Sequence, residues 1–183
     1  MDGGLSMNRS DTRSSWWIKP AFLLCVFLVM MVLMRVTASH VANLSEGQGI
    51  IDLTFGIPPE QVRAALTRYT PAAVMCYRYL FLSVDLVYAL SYVSFYRCAI
   101  RAILTKVGAG RNMLAVMTTL PVIGMTADLF ENTALFLLLG QEDISELLCM
   151  LFTVFNIIKF LFVYSSLAIV IGGLVCLIKK RLS

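Results

Sequence analysis

Residues 113–139 read MLAVMTTLPVIGMTADLFENTALFLLL. The run exceeds the roughly 20 residues that carry a helix across the hydrocarbon core of a bilayer. Within it only Asp128 and Glu131 are charged. A charge near the bilayer centre costs on the order of 3 kcal/mol, so it persists where it is paired, neutralised or hydrated. This one stretch therefore predicts both a membrane span and a polar interior.

Three more stretches of the same kind flank it, at 16–36, 71–96 and 144–178. Trp16, Trp17 and Lys19 open the first as interfacial anchors. The last is long enough to tilt or to project beyond the hydrocarbon. The chain of 183 residues is 59% hydrophobic and 14% charged, where a soluble domain carries ~25% charged residues. Its mean hydropathy is +0.82. Too little polar surface is present to cover a water-soluble globule. The expected fold is an all-α membrane protein with four transmembrane helices, a single domain over 16–183 behind a polar tail at 1–15. Asp2 and Asp11 make that tail a poor mitochondrial presequence. The apolar run after it is too long for a signal-peptide core and ends at Arg35 without a small-residue cleavage site, so it is expected to be retained.

The segment 37–70 is the only sizeable part outside the spans. Pro58-Pro59-Glu60 suits the first turn of a helix, since proline fits there and acid favours the positive helix end. Val62, Leu66 and Tyr69 then recur at helical spacing. A short amphipathic helix on the membrane surface is expected, running towards the second span.

Basic residues set the orientation. With four spans, both termini and the connection between spans two and three share one side. That side holds Arg9, Arg13, Lys19, Arg97, Arg101, Lys106, Arg111, Lys179, Lys180 and Arg181, ten in all, against Arg35, Arg63 and Arg68 opposite. The positive-inside bias places both termini in the cytosol, or in the matrix for a mitochondrial inner-membrane protein. These residues act as topology signals and do not point to nucleic acid. Arg97, Arg101, Lys106 and Arg111 are also the candidates for holding an anionic lipid such as cardiolipin, although topology alone accounts for them.

Catalytic chemistry finds little support. Cys25, Cys76, Cys98, Cys149 and Cys176 have neither metal-ligand nor CxxC spacing, and His40 is the lone histidine. No metal and no cofactor is implied. No His-rich box and no nucleophile with its base is present, so the chain is not expected to be an enzyme.

The ionisable residues inside the spans are Arg78, Asp85, Asp128, Glu131 and Lys159, with Asn132 and Asn156 beside them. Arg78, Asp85 and Tyr92 follow a seven-residue spacing that puts them near one helix face, with Tyr88 close by. Asp128, Glu131 and Asn132 share a face, and Thr153, Asn156 and Lys159 form a stripe on the last span. At ~1.5 Å per residue from the outer boundary, Arg78 lies at ~10 Å, Glu131 at ~12 Å, Asp128 at ~16 Å, and Asp85 and Lys159 at ~20 Å. Matched depth pairs Arg78 with Glu131, and Lys159 with Asp85, Asp128 or both. Three acids then face two bases, so one acid is expected to hold a proton.

Several of these residues also carry a resemblance. Ile51-Asp52-Leu53-Thr54-Phe55-Gly56 with Pro59-Glu60, then Asp85, Tyr88 and Tyr92, then Pro121 and Asp128-Leu129-Phe130-Glu131-Asn132, then Thr153 and Lys159, occur in this order. The pattern resembles a loose group of four-helix integral membrane proteins to which no activity is attached. Ala89 stands where that group has proline, and a Gly-Arg element before the second span is missing. The resemblance implies a four-helix fold with a shared polar core.

Two functions are in view. One is a non-catalytic accessory subunit of a larger membrane complex, such as a mitochondrial respiratory or ATP-synthase assembly, with other integral membrane subunits and membrane lipid as partners. Short loops and near-balanced buried charge favour it. The other is a small transporter or proton-coupled channel using the intramembrane charges.

Overall fold

A computed structural model describes residues 15–182; the polar tail expected over 1–15 lies outside them except for Ser15. The protein is an all-α membrane protein. After a single turn at Ser15–Trp17, the helices are α1 (Ile18–Leu44), α2 (Pro59–Leu66), α3 (Pro71–Val107), α4 (Arg111–Leu138) and α5 (Glu146–Leu182). All except α2 are long and apolar enough to span. The end of the bundle bearing α2 is called here the loop end, and the opposite one the basic end.

Helix ends follow local chemistry. Thr70 caps α3, its side-chain oxygen accepting from Ala73 N–H at 3.2 Å, and Pro71 begins the first turn. Gly108, at φ +95°, closes α3 and donates to the Leu104 carbonyl at 3.1 Å. Both α1 and α3 run past the expected limits of 36 and 96. The bilayer sets a minimum apolar length, whereas a helix stops where its backbone bonding is interrupted, here just before Gly47 and at Gly108.

The short helix α2 differs from expectation in two ways. It does not continue into the second span, because residues 67–70 intervene before the Thr70–Pro71 start. Its apolar face, Val62, Ala65 and Leu66, is buried, and α2 packs against α5. Arg63 secures it by donating to the Ile144 carbonyl at 2.7 Å.

The most extensive helix interface is between α4 and α5, and α3 touches α1, α4 and α5. Without water inside the membrane, helices associate through close packing at small residues. Gly124 lets α4 approach α5, where an added Cβ would lie 3.3 Å from Phe162 Cβ. Gly173 does the same for α5 against α3, where a Cβ would fall 2.4 Å from an Ile103 methyl carbon. Two apolar clusters result. One at the loop end includes Val41, Tyr77, Phe81, Leu135 and Phe152; one towards the basic end includes Tyr92, Tyr96, Ile100 and Ile103. On α3, α4 and α5 the buried charged residues Asp85, Asp128, Glu131 and Lys159 fall between these two clusters.

Candidate functional site

The centre of the site is Lys159 on α5. Its ammonium lies 2.5 Å from Glu131 Oε2 and 3.5 Å from Asp128 Oδ1, and donates to the main-chain carbonyl of Asp52 at 3.0 Å. Asn156, one turn away, donates to Glu131 Oε1 at 2.9 Å and to the same Asp52 carbonyl at 3.3 Å. Its own oxygen accepts from Gly56 N–H at 2.7 Å. Thr153 continues the stripe, donating to the Ile57 carbonyl at 2.8 Å. Tyr92 donates to Asp128 Oδ2 at 3.2 Å, and Asn132 donates to Asp85. Tyr88 adds its ring, packed on Phe27 and Tyr92.

Segment 48–58 is thus not an aqueous loop. It turns back into the loop end of the bundle and carries Asp52, fully buried, down to Lys159. The Asp52 carboxyl accepts from Tyr77. Gly56 holds the return at φ +64°, a left-handed conformation suited to glycine. Tyr69 pins the entry by donating to the Gly49 carbonyl at 2.6 Å. Burial pushes the Asp52 carboxyl above its ordinary range, against the opposing pull of Lys159 and the Tyr77 hydrogen bond. The Tyr69 phenol is also raised, by burial and by the nearby Asp52.

Two expected pairings are corrected. Glu131 belongs to Lys159 and not to Arg78, and Asp85 takes Asn132 instead of Lys159. Side chains on a helix lean towards its N-terminus. The N-terminus of α5 is at the loop end and that of α4 at the basic end, so Lys159 and Glu131 lean towards one another across their difference in depth. Arg78 leans with α3 towards the loop end. Its guanidinium passes 5.1 Å from the Phe136 ring centre and reaches Gly140, in the α4–α5 connection.

The face of Arg78 has a second cause. Residues 76–81 form a π-helical turn, which inserts one residue into α3. Each residue is about 100° of rotation, so the insertion turns everything before it by that amount relative to Asp85. Arg78 leaves the Asp85 face, and Tyr77 rotates in to meet Asp52.

The charge balance changes accordingly. Sequence reasoning gave three acids and two bases. The cluster instead gathers four buried carboxyls, Asp52, Asp85, Asp128 and Glu131, around the one ammonium of Lys159. Four carboxylates sharing one cation in a low-dielectric interior repel strongly, so the cluster retains protons. Two buried oxygens, Asp52 Oδ2 and Asn132 Oδ1, have neither a hydrogen-bond donor nor an ion-pair partner among the described residues. No group of His, Cys, Asp and Glu among those residues is arranged to hold a metal ion.

Asp52 and Tyr77 are the members that sequence reasoning missed. A signal existed for Asp52, since it interrupts the apolar run Ile50-Ile51-Asp52-Leu53 in a segment otherwise read as exposed. The lipid candidates do not converge. Arg97 and Arg101 line one surface cavity with Ser94 and Thr118, Lys106 lines another, and Arg111 begins α4. Compared with protein-family models, curated proteins and solved structures, the chain matches none of them.

Proposed function

We propose that this protein is a non-catalytic accessory subunit of a larger membrane assembly, and that its buried charges serve to pack it. The observation that carries this reading is the target of Lys159 and Asn156. Both donate to the Asp52 main-chain carbonyl, and Gly56 donates back to Asn156. Bonds to backbone fix the course of a chain, here a loop folded across the end of the bundle. The residues lining the described surface cavities include none of the cluster. α1 buries few of its residues and leaves broad apolar faces that suit partner helices or lipid. On this reading the basic end faces the cytosol or the matrix. A respiratory or ATP-synthase assembly of the mitochondrial inner membrane is the candidate host.

A specific observation favours the second reading, a small transporter or proton-coupled channel. Four carboxyls around one ammonium exceed what pairing needs, and a cluster that retains protons can exchange them. Lys159→Met and Glu131→Gln, made singly and together, separate the two readings. The packing role predicts lowered assembly in each single variant, recovery in the double variant, and no proton flux above that of empty liposomes for the reconstituted wild type. Unimpaired assembly in all three, with a wild-type proton flux that the variants abolish, would overturn it.

A further inference from the structure

At the basic end a cavity of about 730 Å³ opens between the start of α1 and the ends of α3 and α5. Trp16 and Trp17 line it from the α1 side, Lys106 from α3, and Leu174, Leu177 and Lys180 from α5. The two lysines come from different helices, and no acid shares the lining. Among the described residues neither lysine is in an ion pair. The Lys106 ammonium is held 5.5 Å from the centre of the Trp16 ring, and the two indoles lie 3.8 Å apart. This cation–π contact leaves the ammonium free to take an anion from its other side.

We propose that this cavity binds one anionic glycerophospholipid, its phosphate between Lys106 and Lys180 and its acyl chains along Leu174 and Leu177. Chemistry supports each part. Indoles favour the headgroup level of a bilayer, where one edge meets water and the ring meets hydrocarbon. Basic pockets between transmembrane helices on the positive side select anionic headgroups. An apolar floor below two cations fits a lipid better than a free anion, which would leave that floor bare. The volume lies within the ~300–1,000 Å³ typical of small-ligand sites. The site is separate from the charged cluster and from the role proposed for it.

Trp16 and Trp17 are the two tryptophans of the chain, so indole fluorescence reports on this cavity alone. The full chain is reconstituted in phosphatidylcholine vesicles containing a minor share of brominated phosphatidylglycerol, or the same share of brominated phosphatidylcholine. Two lysines near the surface predict enrichment of the anionic lipid on the order of 30-fold, seen as quenching at a correspondingly lower mole fraction. Lys106→Gln/Lys180→Gln loses the preference, whereas Arg97→Gln, outside the cavity, keeps it. Both lysines are exposed, and unchanged helical circular dichroism verifies that the double variant folds. Equal quenching by the two brominated lipids in the wild type overturns the proposal, as does a preference retained by the double variant. Inorganic phosphate is expected to leave the preference intact; its abolition by phosphate would make this a free-anion site and overturn the lipid assignment.

Discussion

Replacing Lys159 by methionine removes the only ammonium from the cluster while keeping most of the side-chain volume. Two ion pairs, at 2.5 and 3.5 Å, and the bond to the Asp52 carbonyl disappear together. Glu131 and Asp128 stay buried at 0% and 1% exposure with no positive group beside them. Taking away one partner of a buried pair costs about 3–5 kcal/mol. The same size follows if a carboxyl responds by taking up a proton, because holding an ordinary carboxyl neutral at pH 7 costs ~4 kcal/mol. Thermal unfolding in mild detergent measures the loss, followed by the reaction of a thiol-specific dye with Cys149, which is 1% exposed in the folded bundle, in a background where the free Cys25, Cys76, Cys98 and Cys176 are replaced by alanine. The deficit of the variant shrinks as the solution is acidified, since proton uptake then costs less. Adding Glu131→Gln recovers much of it, because the glutamine can still accept from Asn156. A Lys159→Met protein as stable as wild type at neutral pH would refute the reasoning: the four carboxyls would then not depend on that ammonium.

Asp52→Asn keeps an acceptor for Tyr77 but no longer titrates. The Asp52 pKa is raised on folding, so its contribution to stability is full below the ordinary carboxylate value and is lost as pH rises through the raised one. The variant is therefore expected to be the more stable protein above that window and to lose this part of the pH dependence, measured by thermal unfolding across pH. Gly56→Ala meets Ile157 at an ordinary 3.9 Å but is forced to φ +64°, which costs roughly 1–2 kcal/mol and should increase proteolysis within 48–58. Gly173→Ala drives a methyl to 2.4 Å from the Ile103 Cγ2 methyl, an overpacking worth about 1–3 kcal/mol; unfolding should show the loss at the α3–α5 contact, and it should be smaller in an Ile103→Ala background, where that Cγ2 is gone.

Length and hydropathy made the four spans legible, because a bilayer demands ~20 apolar residues wherever the chain crosses it. Asp85, Asp128, Glu131, Asn132, Asn156 and Lys159 were readable as polar residues inside the spans, but depth divided the charges into two layers, Arg78 with Glu131 and Lys159 with Asp85 and Asp128. Their actual pairing was not legible. Depth reckoned from Cα positions ignores the lean of side chains, which brought Lys159 to Glu131 and sent Arg78 outward. The π-turn at 76–81 was invisible to a fixed helical period and exchanged Arg78 for Tyr77. Asp52 was hidden for another reason. A polar loop can enter a membrane interior only where partners meet its backbone groups, and those partners, Thr153, Asn156 and Lys159, lie roughly a hundred residues further along the chain.

The accessory-subunit role is tested most directly by native gel electrophoresis after extraction from its own membrane in a mild detergent. Migration within an assembly much larger than the 20.4 kDa chain, together with other membrane proteins, is the predicted result. Recovery of the protein only as a stable monomer or small homo-oligomer would contradict it.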